Sequence, residues 1–152
     1  MGTHSIYIDY IALGLSVLSI VWTSVWTIIL YKVRPKLEIE INKGIEKQNV
    51  YIKVINERNC SDAINLNMEV CTVRNIDKTK HLKIEKEDFL ILPSKDNREF
   101  KAKCLPEIEE RLKETGTVLR VRVYATHSFT GFGEAFEAKF KYDAKLNTFI
   151  KK

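Results

Sequence analysis

The chain has 152 residues, of which 45% are hydrophobic and 30% charged, with three prolines and six glycines. This composition is typical of a folded protein and excludes collagen-like, low-complexity and disordered chains. The length suits one domain, so a membrane segment leaves room for a single small core and no second catalytic lobe. The formal net charge of +5 indicates nucleic acid or an anionic membrane surface as generic partners.

The charge is distributed unevenly along the chain. All 25 lysines and arginines lie from Lys32 onward, whereas the residues before it carry one formal charge, on Asp9. Residues 32–152 therefore combine 25 basic with 19 acidic residues, a formal charge of +6. The sequence divides into an apolar N-terminal segment and a charged remainder, and we expect these to be separate parts of the protein.

Residues 11–31 read IALGLSVLSIVWTSVWTIILY and contain no charged side chain. As an α-helix this segment is roughly 31 Å long, which matches a hydrocarbon core of about 30 Å. A cleavable signal peptide would need a basic region before it, a shorter apolar stretch and a small-residue cleavage site, and the sequence has none of these. We therefore expect a transmembrane helix at 11–31, preceded by an extracytoplasmic segment at 1–10.

The charges beside this helix predict its orientation. Lys32, Arg34 and Lys36 lie in the juxtamembrane linker 32–36, and the cytoplasmic ends of spanning helices are enriched in such residues. We expect a single-pass protein of the cell membrane, with its N-terminus outside and its C-terminal domain in the cytoplasm. The same basic side chains are expected to contact anionic membrane lipids.

One face of the predicted helix carries small side chains at helical spacing. Such a face allows two spanning helices to approach closely, and its hydroxyl groups can bond across the contact. Alternatively, each hydroxyl can bond to a backbone carbonyl of its own helix. We expect self-association, or association with a membrane protein partner, through this face. We call it the packing stripe, and it consists of Ala12, Ser16, Ser19, Thr23 and Thr27.

Aromatic residues lie near both ends of the predicted helix and within it. Tyr7, Tyr10 and Tyr31 are expected to be interfacial anchors, because amphipathic rings favour the headgroup level of a bilayer. Trp22 and Trp26 lie deeper in the span, where they contact either a partner helix or lipid.

After Pro35 the apolar residues recur at every second position, which is typical of half-buried strands. In residues 49–56, for example, Val50, Ile52 and Val54 alternate with polar neighbours. The complete pattern predicts seven or eight strands. The other predicted strands are at 37–41, 64–70, 82–84, 89–92, 100–104, 118–125 and 136–142.

Residues 106–115, PEIEERLKET, form the one segment of this part that reads as a helix. Pro106 suits the first turn and Gly116 follows the end, so a short crossover helix is predicted. Alternating strands separated by short turns favour an antiparallel Ig-like β-sandwich or a small barrel over 37–152. A parallel nucleotide-binding sheet is disfavoured, because its strands would be apolar on both faces.

Residues 50–70, VYIKVINERNCSDAINLNMEV, resemble the paired strands of bacterial immunoglobulin-like modules of the CARDB type. In that pattern a strand ends in Asn and leads through a short turn to Ala and a second alternating strand. Asn56 and Ala63 occupy those positions, whereas Glu57 and Arg58 replace the glycine usual after the Asn. The resemblance implies an Ig-like fold and no activity, since such folds host many functions.

The histidines and cysteines do not form a recognisable metal motif. His4 and His81 have no histidine partner at the spacing of a helical zinc motif, and the cysteines lack a C-x-x-C pair. We therefore expect no metal ion, no cofactor and no catalytic residues. An odd number of cysteines agrees with free thiols in a reducing compartment. These cysteines are Cys60, Cys71 and Cys104.

Two further segments of the sequence have simple structural interpretations. His127 lies between two hydroxyl side chains, but neighbours on a strand point to opposite faces, so it does not form a nucleophile–base pair with them. Without a third orienting group for catalysis, His127 is expected at the surface or at a strand end. Gly131 and Gly133 lack the third glycine, the lysine and the following helix of a phosphate loop. They predict a hairpin turn.

The basic residues after the helix, such as Arg120 and Arg122, are interleaved with acids, as on a solvated strand face. Nucleic acid is therefore disfavoured as a partner, because its binding sites concentrate positive charge beside stacking aromatic residues. The sequence favours a membrane-anchored binding or assembly protein with a cytosolic β-sandwich interaction domain, not an enzyme. The alternative is an oligomerising effector whose soluble domain senses a ligand, of unknown identity, and whose helix perturbs the bilayer.

Overall fold

The computed structural model describes residues 3–57, 61–74, 79–84, 91–128, 131 and 133–152. Side chains are described at residues 7–29 and, from residue 34 onward, at every position within these ranges. The chain forms two compact units, Met1–Arg34 and Pro35–Lys152. The first unit is one helix, α1, Thr3–Val33. This helix is long and apolar enough to cross a membrane between Tyr7 and Ile29.

Helix α1 contains the whole predicted span of 11–31 and extends it by eight residues toward the N-terminus and by two at the other end. Most of the segment expected to precede the helix is itself helical, because residues 3–10 contain neither proline nor glycine to interrupt the hydrogen bonding. The apolar window begins at Tyr7 and therefore includes Asp9. At the other end the helix stops two residues before Pro35, as expected from the restricted conformation of a residue that precedes proline.

The second unit is mainly β and begins with a four-stranded antiparallel sheet. Its strands are β1 (Leu37–Glu40), β2 (Asn49–Asn56), β5 (Lys83–Ile84) and β6 (Asn97–Lys103). They lie in the order β1-β2-β6-β5. In β2 every second side chain is fully buried, namely Val50, Ile52 and Val54, which confirms the alternation seen in the sequence.

The remaining strands form a five-stranded antiparallel sheet. They are β3 (Ala63–Val73), β4 (Lys80–His81), β7 (Val118–His127), β8 (Gly133–Asp143) and β9 (Thr148–Lys151). Their order is β4-β3-β7-β8-β9. Strands β7 and β8 form the hairpin that the glycines at 131 and 133 predict, and Gly131 has a φ of 71° in its turn.

The two sheets share one hydrophobic core. Ile39 and Val54 from the smaller sheet belong to the same buried cluster as Val121 and Phe140 from the larger one. Across the described ranges neither sheet closes on itself, so the sandwich is confirmed and the barrel alternative is excluded. Burying one face of each sheet against the other is the standard way in which two antiparallel sheets form a core.

Helix α2 (Pro106–Lys113) connects β6 in one sheet to β7 in the other, as the predicted crossover does. Pro106 occupies the first turn, and Ile108 and Leu112, one helical turn apart, are buried in the core. Gly116 follows with a φ of 86°, a conformation that costs glycine little and other residues more.

The loop before β2 is held against the turn before β9. The Asn147 side chain accepts a hydrogen bond from the backbone N–H of Ile45 (3.0 Å) and donates one to its carbonyl (3.3 Å). The hydroxyl of Tyr142 also donates to Asn147 Oδ1 (2.9 Å). Gly44 lies so close to this asparagine that a Cβ atom there would be 1.8 Å from the backbone oxygen of Asn147. The close approach therefore requires glycine at position 44.

The structure departs from the predicted strands in three places. Residues 82–84 do not form one strand, because buried Leu82 separates β4 from β5 and donates its N–H to the Val70 carbonyl (2.8 Å). Strand β9 was not predicted, and it brings the described strands to nine. The predicted strand at 89–92 lies partly outside the described residues, and Leu92 forms an isolated bridge with Ala63.

Candidate functional site

The packing stripe lies on α1 as the helical spacing predicts. At 100° per residue its five positions fall within an arc of about 80° around the helix axis. Three of its hydroxyls hydrogen-bond to the carbonyl four residues earlier in the same helix. These bonds run from Ser16 to Ala12 (2.9 Å), from Thr23 to Ser19 (2.7 Å) and from Thr27 to Thr23 (2.8 Å). These three hydroxyls therefore bond to backbone carbonyls of their own helix, which is the alternative to bonding across a contact between two helices.

The aromatic side chains of α1 are exposed. Tyr7 and Tyr10 are both about 70% exposed, while the side chain of Tyr31 lies outside the described residues. Trp22 and Trp26 contact each other edge to face, with ring centroids 6.0 Å apart and planes at 77°. This arrangement is favourable for aromatic pairs and leaves most of the Trp22 surface accessible.

The three basic residues after the span differ in their surroundings. The side chain of Lys32 lies outside the described residues, and Arg34 is exposed. Lys36 belongs to the β unit, where its ammonium forms an ion pair with Glu57 and its carbonyl accepts the Glu57 N–H (2.9 Å). The hydrogen bond from Lys36, with a smaller effect of Glu38, lowers the pKa of the Glu57 carboxyl. The Lys36 charge is thus partly matched within the protein.

The outer face of the five-stranded sheet carries a row of opposite charges across three strands. Arg122 on β7 lies in register with Glu69 on β3 and Glu137 on β8. Arg122 Nε donates to Glu137 Oε2 (2.5 Å), and Lys139 Nζ lies 3.3 Å from the other Glu137 oxygen. The hydrogen bond from Arg122 lowers the pKa of Glu137, and that same bond raises the pKa of Arg122. Arg122 is therefore flanked by acids, as the sequence predicts, whereas Arg120 on the same face lies between Cys71 and Lys139.

Glu69, at one end of this row, also belongs to a group of three side chains that can bind a metal ion. Glu69 and Cys71 lie on β3, and His81 lies opposite Cys71 on β4. Their candidate ligand atoms are all within 4.8 Å of one another. This group is not apparent from the spacing of histidines and cysteines along the chain, because its members come from two strands and include a carboxylate. A Glu-x-Cys pair on one strand face, followed ten residues later by a histidine, was the available signal.

Two of the three cysteines are described, and both are free thiols. Burial raises the pKa of Cys104 to about 11, with a further contribution from the negative charge of Glu109. Burial also raises the pKa of Cys71, although a hydrogen bond from Arg120 works in the opposite direction. Cys60 lies outside the described residues. Cys104 is therefore protonated and unreactive in the folded protein at neutral pH.

His127 is buried, with 3% of its surface exposed, so the prediction of a surface position was wrong. It is the last residue of β7 and lies on the inward side that Leu119, Val121, Val123 and Ala125 also occupy, as the period of two requires. The alternative prediction of a strand-end position was right.

An open depression of about 320 Å³ lies on the outer face of the four-stranded sheet. Lys53 and Glu99 are directly opposite each other across β2 and β6 on its floor, so positive and negative charge are matched there. Its other lining residues are Asn42, Lys43, Tyr51 and Asn97.

The two residues that carry the resemblance to CARDB-type modules both contact Leu92. Asn56 is fully buried, and its side-chain N–H groups donate to the carbonyls of Ser61 (2.7 Å) and Leu92 (3.3 Å). Ala63 exchanges two backbone hydrogen bonds with Leu92. Asn56 therefore ties the end of β2 to the start of β3 and to the segment before β6.

No protein-family model matches the chain, and a comparison with curated proteins gives no match. The resemblance to CARDB-type modules therefore stays a prediction, and the function has to be argued from the residues themselves.

Proposed function

We propose that this protein is a single-span membrane-anchored binding or assembly protein, with its β unit in the cytoplasm as an interaction domain. The observation that carries the proposal is the exposed apolar surface of α1. Leu13, Ile20 and Trp22, for example, are 62–67% exposed. Leaving one large apolar side chain in water costs about 1.5–3 kcal/mol, so an entire helix of them requires a lipid environment.

The hydrogen bonding of α1 suits a helix surrounded by lipid. A helix satisfies its own backbone groups, which is a condition for crossing the hydrocarbon core. The hydroxyls of Ser16, Thr23, Ser24 and Thr27 also bond to carbonyls within the helix. The helix can therefore insert as a monomer without leaving these hydroxyls unpaired. Anchoring in the membrane does not require a partner helix.

The charges that flank α1 support a cytoplasmic β unit. Lys32 and Arg34 follow the apolar window, whereas Asp9 lies near its beginning. Basic residues are retained on the cytoplasmic side during insertion. The free thiols of Cys71 and Cys104 are compatible with a reducing compartment.

Assembly through the packing stripe is the part of this proposal that substitution can test. The double variant Ser16→Leu with Thr23→Leu keeps the helix apolar but places two bulky side chains where the backbones would approach. We expect association in a membrane dimerisation assay to fall, while the protein remains in the membrane fraction. The loss is modest and comes mainly from separating the two backbones, because these hydroxyls already bond within their own helix and interhelical hydrogen bonds in membranes average only about 0.6 kcal/mol.

The matched control is Gly14→Leu with Ser24→Leu. Both positions lie off the stripe, and Ser24 makes the same type of hydrogen bond to its own helix. A Cβ atom at position 14 would meet no atom within 4 Å. This control should associate as strongly as the parent. Equal association of the stripe variant and the control would exclude assembly through the stripe.

The alternative proposal is an effector that perturbs the bilayer through clustered helices. Hydroxyls that bond to their own helix do not provide a polar path, so this alternative has less support than the anchor. Ion leakage from lipid vesicles carrying the purified full chain distinguishes the two. We expect no leakage above protein-free vesicles, and leakage that disappears in the Ser16→Leu, Thr23→Leu variant would favour the effector.

A further inference from the structure

The outer face of the five-stranded sheet holds a group of side chains with the composition of a zinc site. Glu69 and Cys71 are two residues apart on β3, and His81 faces Cys71 across the β3–β4 pairing. Cys71 is fully buried but does not belong to the core cluster between the sheets. We propose that the protein binds Zn²⁺ through a carboxylate oxygen of Glu69, the sulfur of Cys71 and an imidazole nitrogen of His81.

The distances in this cluster are close to those that zinc requires. His81 Nδ1 lies 3.3 Å from Glu69 Oε1. Zinc bonds of about 2.0–2.1 Å at a tetrahedral angle place a nitrogen and an oxygen ligand roughly 3.3–3.4 Å apart. The sulfur needs to approach the other two atoms from a separation of at most 4.8 Å. Small rotations of the His81 and Glu69 side chains, which are 62% and 31% exposed, can supply this movement.

The charges and the ligand types also suit Zn²⁺. A thiolate, a carboxylate and a neutral imidazole together carry two negative charges, which balance a divalent cation. Binding transfers the thiol proton of Cys71 to the solvent and forms the Zn–S bond in its place. Thiolate and imidazole ligands favour zinc over magnesium or calcium, which prefer oxygen.

Arg120 provides a contact that would support a metal-bound thiolate. It lies opposite Cys71 on β7. Its Nε is buried and makes no hydrogen bond within the described part of the chain. Donors that contact a ligand orient that ligand for the metal, and a thiolate is a better acceptor than a thiol.

Zinc at this position would connect β4 to β3. Among the described residues their pairing consists of two residue pairs, Cys71 with His81 and Thr72 with Lys80, so this pairing is short. Three protein ligands leave the fourth position of a tetrahedral site for water or for a group from a binding partner. The proposal does not depend on the function of the membrane helix.

Cobalt titration of the reduced full chain in detergent micelles tests this proposal. After treatment with a chelator, the protein is titrated with Co²⁺, whose thiolate complexes absorb in the near ultraviolet, and then with Zn²⁺. We expect one Co²⁺ per chain with thiolate-to-metal absorption, and loss of this absorption when Zn²⁺ displaces the cobalt. Binding of Zn²⁺ should also raise the Tm.

Three variants assign the ligands. His81→Gln changes an exposed side chain, so its folding is secure, and it should weaken binding at least about 100-fold. Glu69→Gln should also weaken binding, and Cys71→Ala should remove the thiolate absorption. Cys104→Ala, a buried cysteine outside the cluster, is the matched control and should bind as the parent does.

Any one of three results would overturn the proposal. These are the absence of thiolate absorption in the parent, the persistence of that absorption in Cys71→Ala, and an unchanged affinity for the metal ion in His81→Gln. Weak binding that does not saturate at one metal ion per chain would also overturn the proposal, because it would show only adventitious binding at the surface.

Discussion

Substitution of Asn56 should destabilise the β unit strongly, because this side chain connects three segments inside the protein. Its amide donates to the carbonyls of Ser61 and Leu92, and the residue is fully buried. In Asn56→Ala both side-chain donors disappear. The Leu92 carbonyl keeps the hydrogen bond from the Ala63 N–H, whereas the carbonyl of buried Ser61 loses the short bond of 2.7 Å.

The expected cost follows from these two bonds. An unsatisfied buried acceptor costs about 1–3 kcal/mol, and an ordinary lost hydrogen bond about 1 kcal/mol, so Asn56→Ala should lower the free energy of unfolding by about 2–4 kcal/mol. For a domain of this size 1 kcal/mol corresponds to roughly 4 °C, which predicts a fall in Tm of about 8–16 °C. Thermal unfolding of the full chain in detergent, followed by far-ultraviolet circular dichroism, measures this change.

Two further variants test whether the amide donor is the cause. Asn67→Ala removes an exposed asparagine from β3 and should change the Tm little. Asn56→Asp keeps the shape but places carboxylate oxygens against two carbonyls, so the pKa of the new carboxyl rises and its protonated form can donate again. Its stability relative to the parent should therefore increase as the pH falls from 7 to 5. An Asn56→Ala variant as stable as Asn67→Ala would refute this reasoning.

Three more predictions follow from individual contacts. Gly44→Ala should lower the free energy of unfolding by at least 1–3 kcal/mol, the usual cost of overpacking, while Gly133→Ala, where a Cβ meets no atom within 4 Å, should not. Glu137→Gln should cost less than about 1 kcal/mol because the pair with Arg122 is partly exposed. Since the pKa of Glu137 is lowered below its ordinary 4.5, this difference should be present above that pH and disappear as the pH falls through the lowered value. Cys104, with its pKa near 11, should resist alkylation at pH 8 until the protein unfolds, and rapid labelling of the native protein would contradict its burial.

The strands that the sequence predicts well are those in which burial alternates regularly. The bounds of β2 agree with the predicted 49–56, and β7 extends the predicted 118–125 by two residues. Both strands have neighbours on each side and one face in the core, so their apolar residues recur at every second position. His127 fits the same alternation of buried and exposed residues. Extending the predicted strand to residue 127 would have placed His127 on the buried face.

Other features of the fold depend on contacts between segments that are distant in the sequence. The local pattern of apolar residues carries no information about such contacts. Strand β9 has four residues and is defined by its pairing with β8, so it lacks a repeat long enough to recognise. Leu82 is buried where the chain passes from one sheet to the other, which splits a predicted strand in two. The approach of His81 to Cys71 likewise depends on the register between β3 and β4.

Protease digestion of intact spheroplasts tests most directly the claim that α1 anchors a cytoplasmic β unit. The full chain carries one epitope tag before Met1 and another after Lys152 and is expressed in a bacterial host. We expect external protease to remove the N-terminal tag, while the C-terminal tag remains protected until the membrane is permeabilised. Protection of both tags would show that α1 does not span the membrane, and loss of the C-terminal tag from intact spheroplasts would contradict the proposed orientation.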